Sequence, residues 1–505
     1  MKNRRFKSVF LFAVLFSITI LLASSNQSCA DDSVVSPNSK NVLFIAVDDL
    51  RPELGCYGAT HAISPSIDAL AKRSLVFNNH FVQVPTCGSS RYALLTGRSP
   101  LFSKALGNGA MTDGKTAINP KQQPGAQTMP ELFRRSGYHT TLIGKISHSP
   151  DGRVFKYDGT GDGRREMPHA WDELATPFGS WKRGWGIFFA YANGRSRENG
   201  DSRDAMEFIA EKDDDLPDGQ MATAAIEKLK TYKKSEQRFF LGLGFFKPHL
   251  PLVATRGDWE AVKDIDVPLP PHREKSNSAY TNHKSGEFFN YKFPFDKTRP
   301  LDADKIQHNK RAYLACVRYT DRQIGRVLKA LDDEGLSNST IVVLWSDHGW
   351  NLGDSQQWAK HTALDRAVRS PMMISVPGMT TGQHCDSLVE SIDLYPTLME
   401  LCDPKFKQTE HRLDGKSLLP IFKDPKSTVR EASFSYWRDA VSIRNQNYRL
   451  MGKRVGKDGR KLNQIELYSR EQNFDPVENL AEKHPDVVAS LLEEFRQLGN
   501  QHLQK

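Results

Sequence analysis

The sequence predicts an α/β protein with a large mixed, mostly parallel sheet and a small C-terminal α+β subdomain. Three observations predict it. Five short apolar runs have the continuous hydrophobicity of strands buried on both faces: Asn41 to Val47, Thr140 to Ile143, Phe239 to Phe246, Ile341 to Trp345 and Pro371 to Val376. Helical patterns separate them. Beyond Ser427 the pattern changes to short β-like pieces and one final helix.

The chain has 505 residues, 38% hydrophobic and 26% charged, which is enough for one large α/β domain and a smaller one. Its start is distinctive. Lys2, Arg4, Arg5 and Lys7 precede an apolar stretch from Val9 to Ala23, and Ser28-Cys29-Ala30 precedes Asp31. This is the pattern of a secretory signal peptide, residues 1–30, cut after Ala30. No later apolar run is long enough to span a membrane, so export to a periplasm or the medium is implied. The four basic residues of that segment contribute to the formal charge of +9 and leave about +5 on the remainder. Mild basicity suits an anionic substrate. No nucleic-acid motif is present.

A polar linker, residues 31–40, leads into an α/β domain over residues 41–420. Helical patterns run over Ile67 to Arg73, Thr128 to Ser136, Gly219 to Tyr232 and Arg311 to Glu334. Two segments, Asp151 to Glu198 and Val267 to Pro300, are irregular and rich in Gly, Pro, aromatics and charge. Long irregular segments in a compact domain are usually functional, and substrate recognition is placed there. Residues 421–505 form the α+β subdomain, with strands near Ala440 to Ile443 and Tyr448 to Leu450 and a helix from Pro485 to Leu498. Cleavage after Ala30 leaves five cysteines, an odd number that marks one for a purpose other than pairing. Cys56 reads as structural and Cys316 as a small buried hydrophobe. Cys385 and Cys402 are candidates to pair.

Four of the five apolar runs end in residues that carry chemistry. The first ends in Asp48-Asp49, the second in Gly144-Lys145 and then His148, the third in Lys247-Pro248-His249 and the fourth in Ser346-Asp347-His348-Gly349. Open α/β sheets bind ligands just outside the carboxyl ends of their strands, so this is the pattern of an enzyme site. Cys87 lies in Thr86-Cys87-Gly88-Ser89-Ser90-Arg91-Tyr92. Ser89 and Ser90 are cap-forming types, and Tyr92 to Leu95 then Gly97 read as a short helix with a C-cap. Cys87 is therefore expected at a helix N-terminus, which favours a thiolate or a bound oxyanion.

Cys87-Gly88-Ser89-Ser90-Arg91 with Thr96-Gly97-Arg98 resembles the maturation motif of the type I sulfatase family, Cys-x-Pro-Ser-Arg with a downstream Thr-Gly-Arg. Position 89 departs from it, since the family has Pro, or less often Ala. Asp48-Asp49 and Ser346-Asp347-His348-Gly349-Trp350 resemble the family's calcium-binding segments. Gly144-Lys145, His148, Lys247-Pro248-His249 and Trp358-Ala359-Lys360 resemble its sulfate-binding and acid–base positions. Leu413 to Leu418, Glu466-Leu467-Tyr468 and Glu478-Asn479-Leu480 resemble its C-terminal segments. The likeness runs from about Asn41 to Leu480 and is strongest to the iduronate-2-sulfatase branch.

The resemblance implies an alkaline-phosphatase-like sandwich and a sulfuric ester hydrolase acting on a sulfated oligosaccharide, with a 2-O-sulfated uronate as target. It implies that a maturation enzyme oxidises Cys87 to formylglycine, whose hydrate attacks sulfur. Asp48, Asp49, Asp347 and His348, with residue 87, would hold Ca²⁺, or less readily Mg²⁺. Lys145 and Lys360 would hold the sulfate and Arg91 would orient the hydrate. His148 would take the proton that releases sulfate, and His249 would protonate the sugar oxygen. These groups also meet the demands of the chemistry, which needs a nucleophile, positive charge on the anion and an acid for a poor leaving group. Two other readings stand beside this one. A phosphodiesterase or phosphonate hydrolase would use the same parts on phosphorus. If Ser89 prevents oxidation, Cys87 stays a thiol and the chain binds sulfated glycans without hydrolysing them.

Overall fold

A computed structural model of the chain describes residues 40–456, 459–470 and 475–500. The segment expected to be a signal peptide, and all but the last residue of the linker, lie outside them. Eight strands form the main sheet: β1 (Asn41–Val47), β2 (Leu75–Phe81), β3 (His139–Gly144), β4 (Glu173–Leu174), β5 (Phe239–Phe245), β6 (Thr340–Ser346), β7 (Met372–Ser375) and β8 (Gln383–Glu390). Their spatial order is β8-β2-β7-β6-β1-β5-β3-β4. Seven run in one direction, and β7 runs antiparallel to both its neighbours.

The four apolar runs that end in Asp, His or Lys are thus four adjacent strands, β6-β1-β5-β3, and their carboxyl ends share one edge. The fifth run is β7. Its reversed direction sends its carboxyl end to the opposite edge, which explains why it carries none of these residues. Three strands, β2, β8 and the two-residue β4, do not stand out as apolar runs. Asn78-Asn79-His80 interrupts β2, and β8 begins in exposed Gln383-His384.

The sheet separates two apolar layers. Along β1, Leu43, Ile45 and Val47 face one layer and Val42, Phe44 and Ala46 the other, as the two-residue period of a strand requires. On the first side pack α1 (Pro65–Ala71), α4 (Pro217–Ser235) and α6 (Ala303–Asp333). On the second pack α2 (Cys87–Thr96), α3 (Met129–Arg135) and α7 (Leu394–Cys402). The short helix α5 (Gly286–Phe289) lies in the irregular segment before α6. Helix α6 begins eight residues before the expected start at Arg311, because Asp302 caps it by accepting a hydrogen bond from the Lys305 N–H at 2.9 Å. Cys316 is buried on α6, as expected. Cys385 and Cys402, candidates to pair, are instead free thiols in the second apolar layer.

The small C-terminal sheet has four antiparallel strands in sequential order: β9 (Ser433–Trp437), β10 (Ala440–Arg444), β11 (Tyr448–Val455) and β12 (Lys461–Ser469). Helix α8 (Pro485–Asn500) covers its face through Leu491 and Phe495. One carboxylate ties this sheet to the main body. Asp365, fully buried, lies 2.5 Å from the Arg444 Nε, 3.2 Å from the Arg470 Nε and 3.6 Å from an Arg449 Nη.

The polar interruption in β2 makes a testable contribution to stability. His80 is fully buried; one ring nitrogen lies 3.0 Å from the Ser370 carbonyl oxygen and the other 2.9 Å from the Ser391 hydroxyl. Burial pulls its pKa from the ordinary 6.5 down to about 4. Between those values the unfolded chain binds a proton that the folded chain does not. The contribution is complete above pH 6.5 and is lost as pH falls, by about 1.4 kcal/mol per unit. In urea unfolding, the stability gap between the wild type and His80→Gln should therefore shrink by about 2 kcal/mol from pH 6.5 to pH 5. An identical pH slope in the two proteins would remove this role.

Candidate active site

Cys87 occupies the first position of α2, so its placement at a helix N-terminus is observed. The cap differs from expectation. Thr86, with extended backbone (φ −152°, ψ 136°), precedes the helix, and Ser89 and Ser90 lie buried inside it. The Ser89 hydroxyl donates to the Gly107 carbonyl at 2.8 Å. Asn108 completes the cap from a distant loop: its Oδ1 accepts from the Gly88 N–H at 3.0 Å and from the Thr86 hydroxyl at 3.1 Å. A Cβ on Gly88 would come within 2.2 Å of the Asn108 carbonyl oxygen, so only glycine permits this approach. Asn108 lies in no motif, and nothing in the surrounding residues signals its role.

The parallel register sets Val47 opposite Ser346 on β6 and opposite Phe245 on β5, which brings the strand ends level. Asp48, Asp49, Asp347 and His348 emerge there fully buried. The Asp49 N–H donates to an Asp347 oxygen at 3.2 Å. The His348 Nε2 lies 3.4 Å from Asp49 Oδ1 and 3.6 Å from Asp347 Oδ1. Its Nδ1 lies 3.1 Å from the Gly349 carbonyl, which fixes the ring. The Cys87 Sγ is 3.4 Å from Asp48 Oδ1 and 3.4 Å from His348 Nε2. Donor atoms of Asp48, Cys87, Asp347 and His348 all fall within 4.8 Å of one another, and so do those of Asp48, Asp49, Cys87 and His249.

A divalent cation fits this donor set. The carboxylates are hard oxygen ligands, and Asp49 Oδ2 is buried with no hydrogen-bond partner. The local charge agrees. Burial alone would raise the Asp48 carboxyl, but Lys145, helped by His249, Arg91 and Lys360, holds it well below the usual range. Burial raises Asp49 well above that range, and the charge of Asp48 adds to it against the pull of Lys360. Positive charge among these oxygens would keep both ionised.

Three cations of the chain surround the cluster, each nearly or fully buried. The Lys145 Nζ lies 2.5 Å from Asp48 Oδ2 and 4.2 Å from the Phe188 ring centre. Its backbone comes close to β5 because Gly144 takes φ +75°, where a Cβ would meet the Gly244 carbonyl oxygen at 2.0 Å. The Lys360 Nζ lies 2.8 Å from Asp49 Oδ1, 2.7 Å from Glu287 Oε1 and 3.4 Å from the Cys87 Sγ. The Ala359 carbonyl just before it accepts from Asn351 at 2.7 Å. The Arg91 Nε donates to Asp347 Oδ2 at 3.0 Å, and one of its amino groups donates to the Lys145 carbonyl. Arg91 thus braces the carboxylates against the lysine loop.

His249 and His148 complete the ring of groups. The His249 Nδ1 meets the Leu250 carbonyl at 2.6 Å, and its Nε2 points inward, 3.4 Å from Glu287 and 3.8 Å from Asp49. Its loop is fixed by Asp218, which accepts the Phe246 and Lys247 N–H groups, and by the Lys247 Nζ, which donates to the His249 carbonyl at 2.9 Å. Burial and then Lys360 pull the His249 pKa down to about 4. Burial and then Lys145 pull His148 well below its ordinary value, and its Nδ1 is buried without a partner. The Cys87 thiol is pushed up to about 12, by burial and then by Asp48. The helix N-terminus does not make it a thiolate in these surroundings.

Cys87, Lys145, His148, His249 and Lys360 line one cavity of about 260 Å³. Both irregular segments form its walls: Tyr157, Trp185, Phe188, Phe189 and Arg197 come from the first, and Glu287, Asn290 and Tyr291 from the second. Glu287 carries the closest charge to Lys360 and His249 outside the motifs. The sequence placed its segment near the substrate but did not single out the residue.

The sulfatase family model matches residues 40–404, and a second model, N-sulphoglucosamine sulphohydrolase, C-terminal, matches residues 353–501. Iduronate 2-sulfatase of Homo sapiens is 30% identical over 464 residues, which cover 82% of this chain and 79% of that protein. A sulfatase of Formosa agariphila is 31% identical over 452 residues, 85% of this chain and 83% of its own length. Among solved structures, the phosphonate monoester hydrolase of Agrobacterium radiobacter superposes with a TM-score of 0.72 over 92% of this chain and 96% of that chain, at 19% identity. That likeness concerns the fold, an alkaline-phosphatase-like sandwich. The family match takes in the sheet, the cluster at its edge and the C-terminal segment alike: the chain belongs to the sulfatase family and is a sulfuric ester hydrolase.

Proposed function

We propose that this enzyme removes sulfate from a sulfated carbohydrate, with a 2-O-sulfated uronate as its target, using formylglycine made from Cys87 and a bound Ca²⁺. The convergence of Asp48, Asp49, Asp347, His348, Lys145 and Lys360 on Cys87 carries this reading. The 30% identity to iduronate 2-sulfatase supports the choice of sugar. Ca²⁺ is favoured over Mg²⁺ because it accepts ligands in flexible geometry, and the candidates come from two strand ends and a helix start. The basic start and apolar stretch of residues 1–30 support export to a periplasm or the medium. Among the described residues no helix is long and apolar enough to cross a membrane.

The thiol of Cys87 is a poor nucleophile here, and formylglycine would supply an oxygen nucleophile in its place. The bound ion would add positive charge beside the sulfate oxygens. Lys145 and Lys360 already face the Cys87 position, so an incoming sulfate shares their charge with Asp48 and Asp49. Arg91 is a positioning residue for Asp347 and the Lys145 loop. His148, neutral with a bare Nδ1, accepts the proton whose removal releases sulfate. His249 delivers a proton to the departing sugar oxygen. Burial and then Lys360 depress His249 in the free enzyme, and the ester's own negative charge would offset the Lys360 part, which favours protonation as substrate binds.

The central test is peptide mass spectrometry across Cys87 on protein made in a host with a formylglycine-generating system. The expected product is lighter by one SH₂-for-O exchange and reacts with hydrazine. An unmodified thiol, in a host that matures a control sulfatase, would show that Ser89 defeats that maturation enzyme and would favour the glycan-binding reading. Cys87→Ser should lower sulfate release by more than about a thousandfold. A sulfate and a phosphate ester of the same alcohol separate this reading from a phosphodiesterase, since the sulfate should be hydrolysed faster.

Exhaustive dialysis against a chelator should abolish activity, with recovery on adding Ca²⁺ and weaker Ca²⁺ binding in Asp347→Asn. Full activity in metal-free protein would exclude the ion from the reaction. His249→Gln should lower kcat about a hundredfold on a sugar sulfate but only a few-fold on an aryl sulfate whose phenol leaves without help. Equal losses on both esters would give His249 a different role.

A further inference from the structure

Beside the catalytic cavity lies a larger one of about 650 Å³, and the two share Glu287, Asn290 and His361 as a common wall. This volume is that of pockets that take ligands larger than one sugar ring. Its far side belongs to the C-terminal sheet. Trp437, at the end of β9, stacks on His361 with ring centres 5.0 Å apart and planes at 19°. His361 directly follows Lys360. An aromatic platform therefore leads from the sulfate-side lysine to the tip of the β9–β10 hairpin.

The backbone at this rim is strained where it lines the cavity. Trp437 pairs with Ala440, so the hairpin turns through Arg438 and Asp439 alone. Arg438 takes φ +53°, a conformation that two-residue hairpins usually give to Gly or Asn. Gln464 takes φ +50° at a bulge in β12, where two residues oppose Gly452. Both line the cavity. Strain of this kind persists where the surrounding structure holds a side chain in a required direction. The charge is also uneven. Asp439 pairs with Lys453 at 3.3 Å and Glu287 is committed to Lys360 and His249. Arg438 and Lys284 have no carboxylate partner among the described residues, and Arg438 lies over Trp437 at 5.5 Å.

We propose that this second cavity binds the sugar next to the sulfated one, with an apolar ring face on Trp437 and a carboxylate or sulfate of that ring at Arg438. The stacking is hydrophobic and sequence-independent, while the guanidinium selects an anionic neighbour through paired hydrogen bonds. The enzyme thereby distinguishes an acidic oligosaccharide from a free sulfated monosaccharide. This assignment rests on the sulfated-sugar reading above.

Calorimetry on the Cys87→Ser protein tests the cavity without turnover. The probes are a 2-O-sulfated uronate methyl glycoside and a disaccharide that joins the same ring to a 6-O-sulfated glucosamine. The disaccharide should bind at least tenfold more tightly. Arg438→Ala and Trp437→Ala should each erase most of that advantage; Arg438→Ala should leave the monosaccharide affinity unchanged and its thermal midpoint unaltered because its side chain is exposed. Equal affinity for the two sugars, or an equal loss on both in Arg438→Ala, would overturn the proposal. The sulfated-sugar reading fails by a different sign, namely no sulfate released from either probe by the matured wild type.

Discussion

Three carboxylates buried at the ends of two neighbouring strands impose the constraint on which the rest of this structure depends. Asp48, Asp49 and Asp347 are removed from water, and an isolated buried carboxylate would simply take up a proton. Cations brought from elsewhere in the chain surround them and hold Asp48 well below the usual range against its burial, whereas burial keeps Asp49 raised above it. Lys145 arrives from the end of β3, Arg91 from the second turn of α2, and Lys360 from a two-strand ribbon after β6. Each cation is itself nearly or fully buried, so each needs the carboxylates as much as they need it. Such an arrangement is costly to assemble and is not a device for stability alone. It makes sense as a preorganised field waiting for an anion, in which the desolvation has been met during folding and not at the moment of reaction.

That field can be built only because the strands are parallel and in register. A parallel sheet puts the ends of β6, β1, β5 and β3 side by side, and each end can deliver one or two groups without a long loop. This part was legible in the sequence. A run such as Ile341 to Trp345 ending in Ser-Asp-His-Gly signals a buried strand and a site residue together. The signal is local, because hydrophobic continuity and the residues after it lie within ten positions of each other. The reversed β7 shows the same logic from the other side, as an apolar run of similar quality whose end faces away from the site and carries only Pro377-Gly378.

What could not be seen depends on pairing over long distances or on side chains serving the backbone. Asn108 is an ordinary loop residue until Gly88 and Thr86 are found against it. Asp218 looks like a first-turn helix acid and instead holds the loop that carries His249. Glu287 sits in a segment without periodicity, and its importance comes from Lys360 and His249 meeting it there. Strand β2 was hidden by Asn78-Asn79-His80, whose polarity is satisfied by Asp386, Ser370 and Ser391, 290 or more residues further along. Of the thiolate or bound oxyanion that a helix N-terminus favours at Cys87, the thiolate is opposed for a reason outside its own segment. A helix N-terminus acts within one turn, and complete burial beside Asp48 outweighs it.

One short stretch of chain joins this site to the C-terminal sheet, beside bonds from Val82, Gln83, Glu390 and the Ser278–Ala279 segment. Lys360 faces Asp49 and Cys87, His361 stacks on Trp437, the Ala363 carbonyl accepts from Arg444, and Asp365 gathers Arg444, Arg449 and Arg470. Within six residues the chain passes from Lys360 to an ionic joint with the small sheet. Burial would raise Asp365, but the three guanidinium groups hold it far below the usual carboxylate range. Asp365 therefore stays charged well below the usual carboxylate range. A buried pair of this kind contributes little net stability compared with apolar packing, yet it is strongly directional. Its consequence is geometric. The β9–β10 hairpin carries Arg444, which holds Asp365, and Asp365 follows Lys360 by five residues. The proposed second-sugar cavity and the cluster around Cys87 are in this way joined by the same six residues.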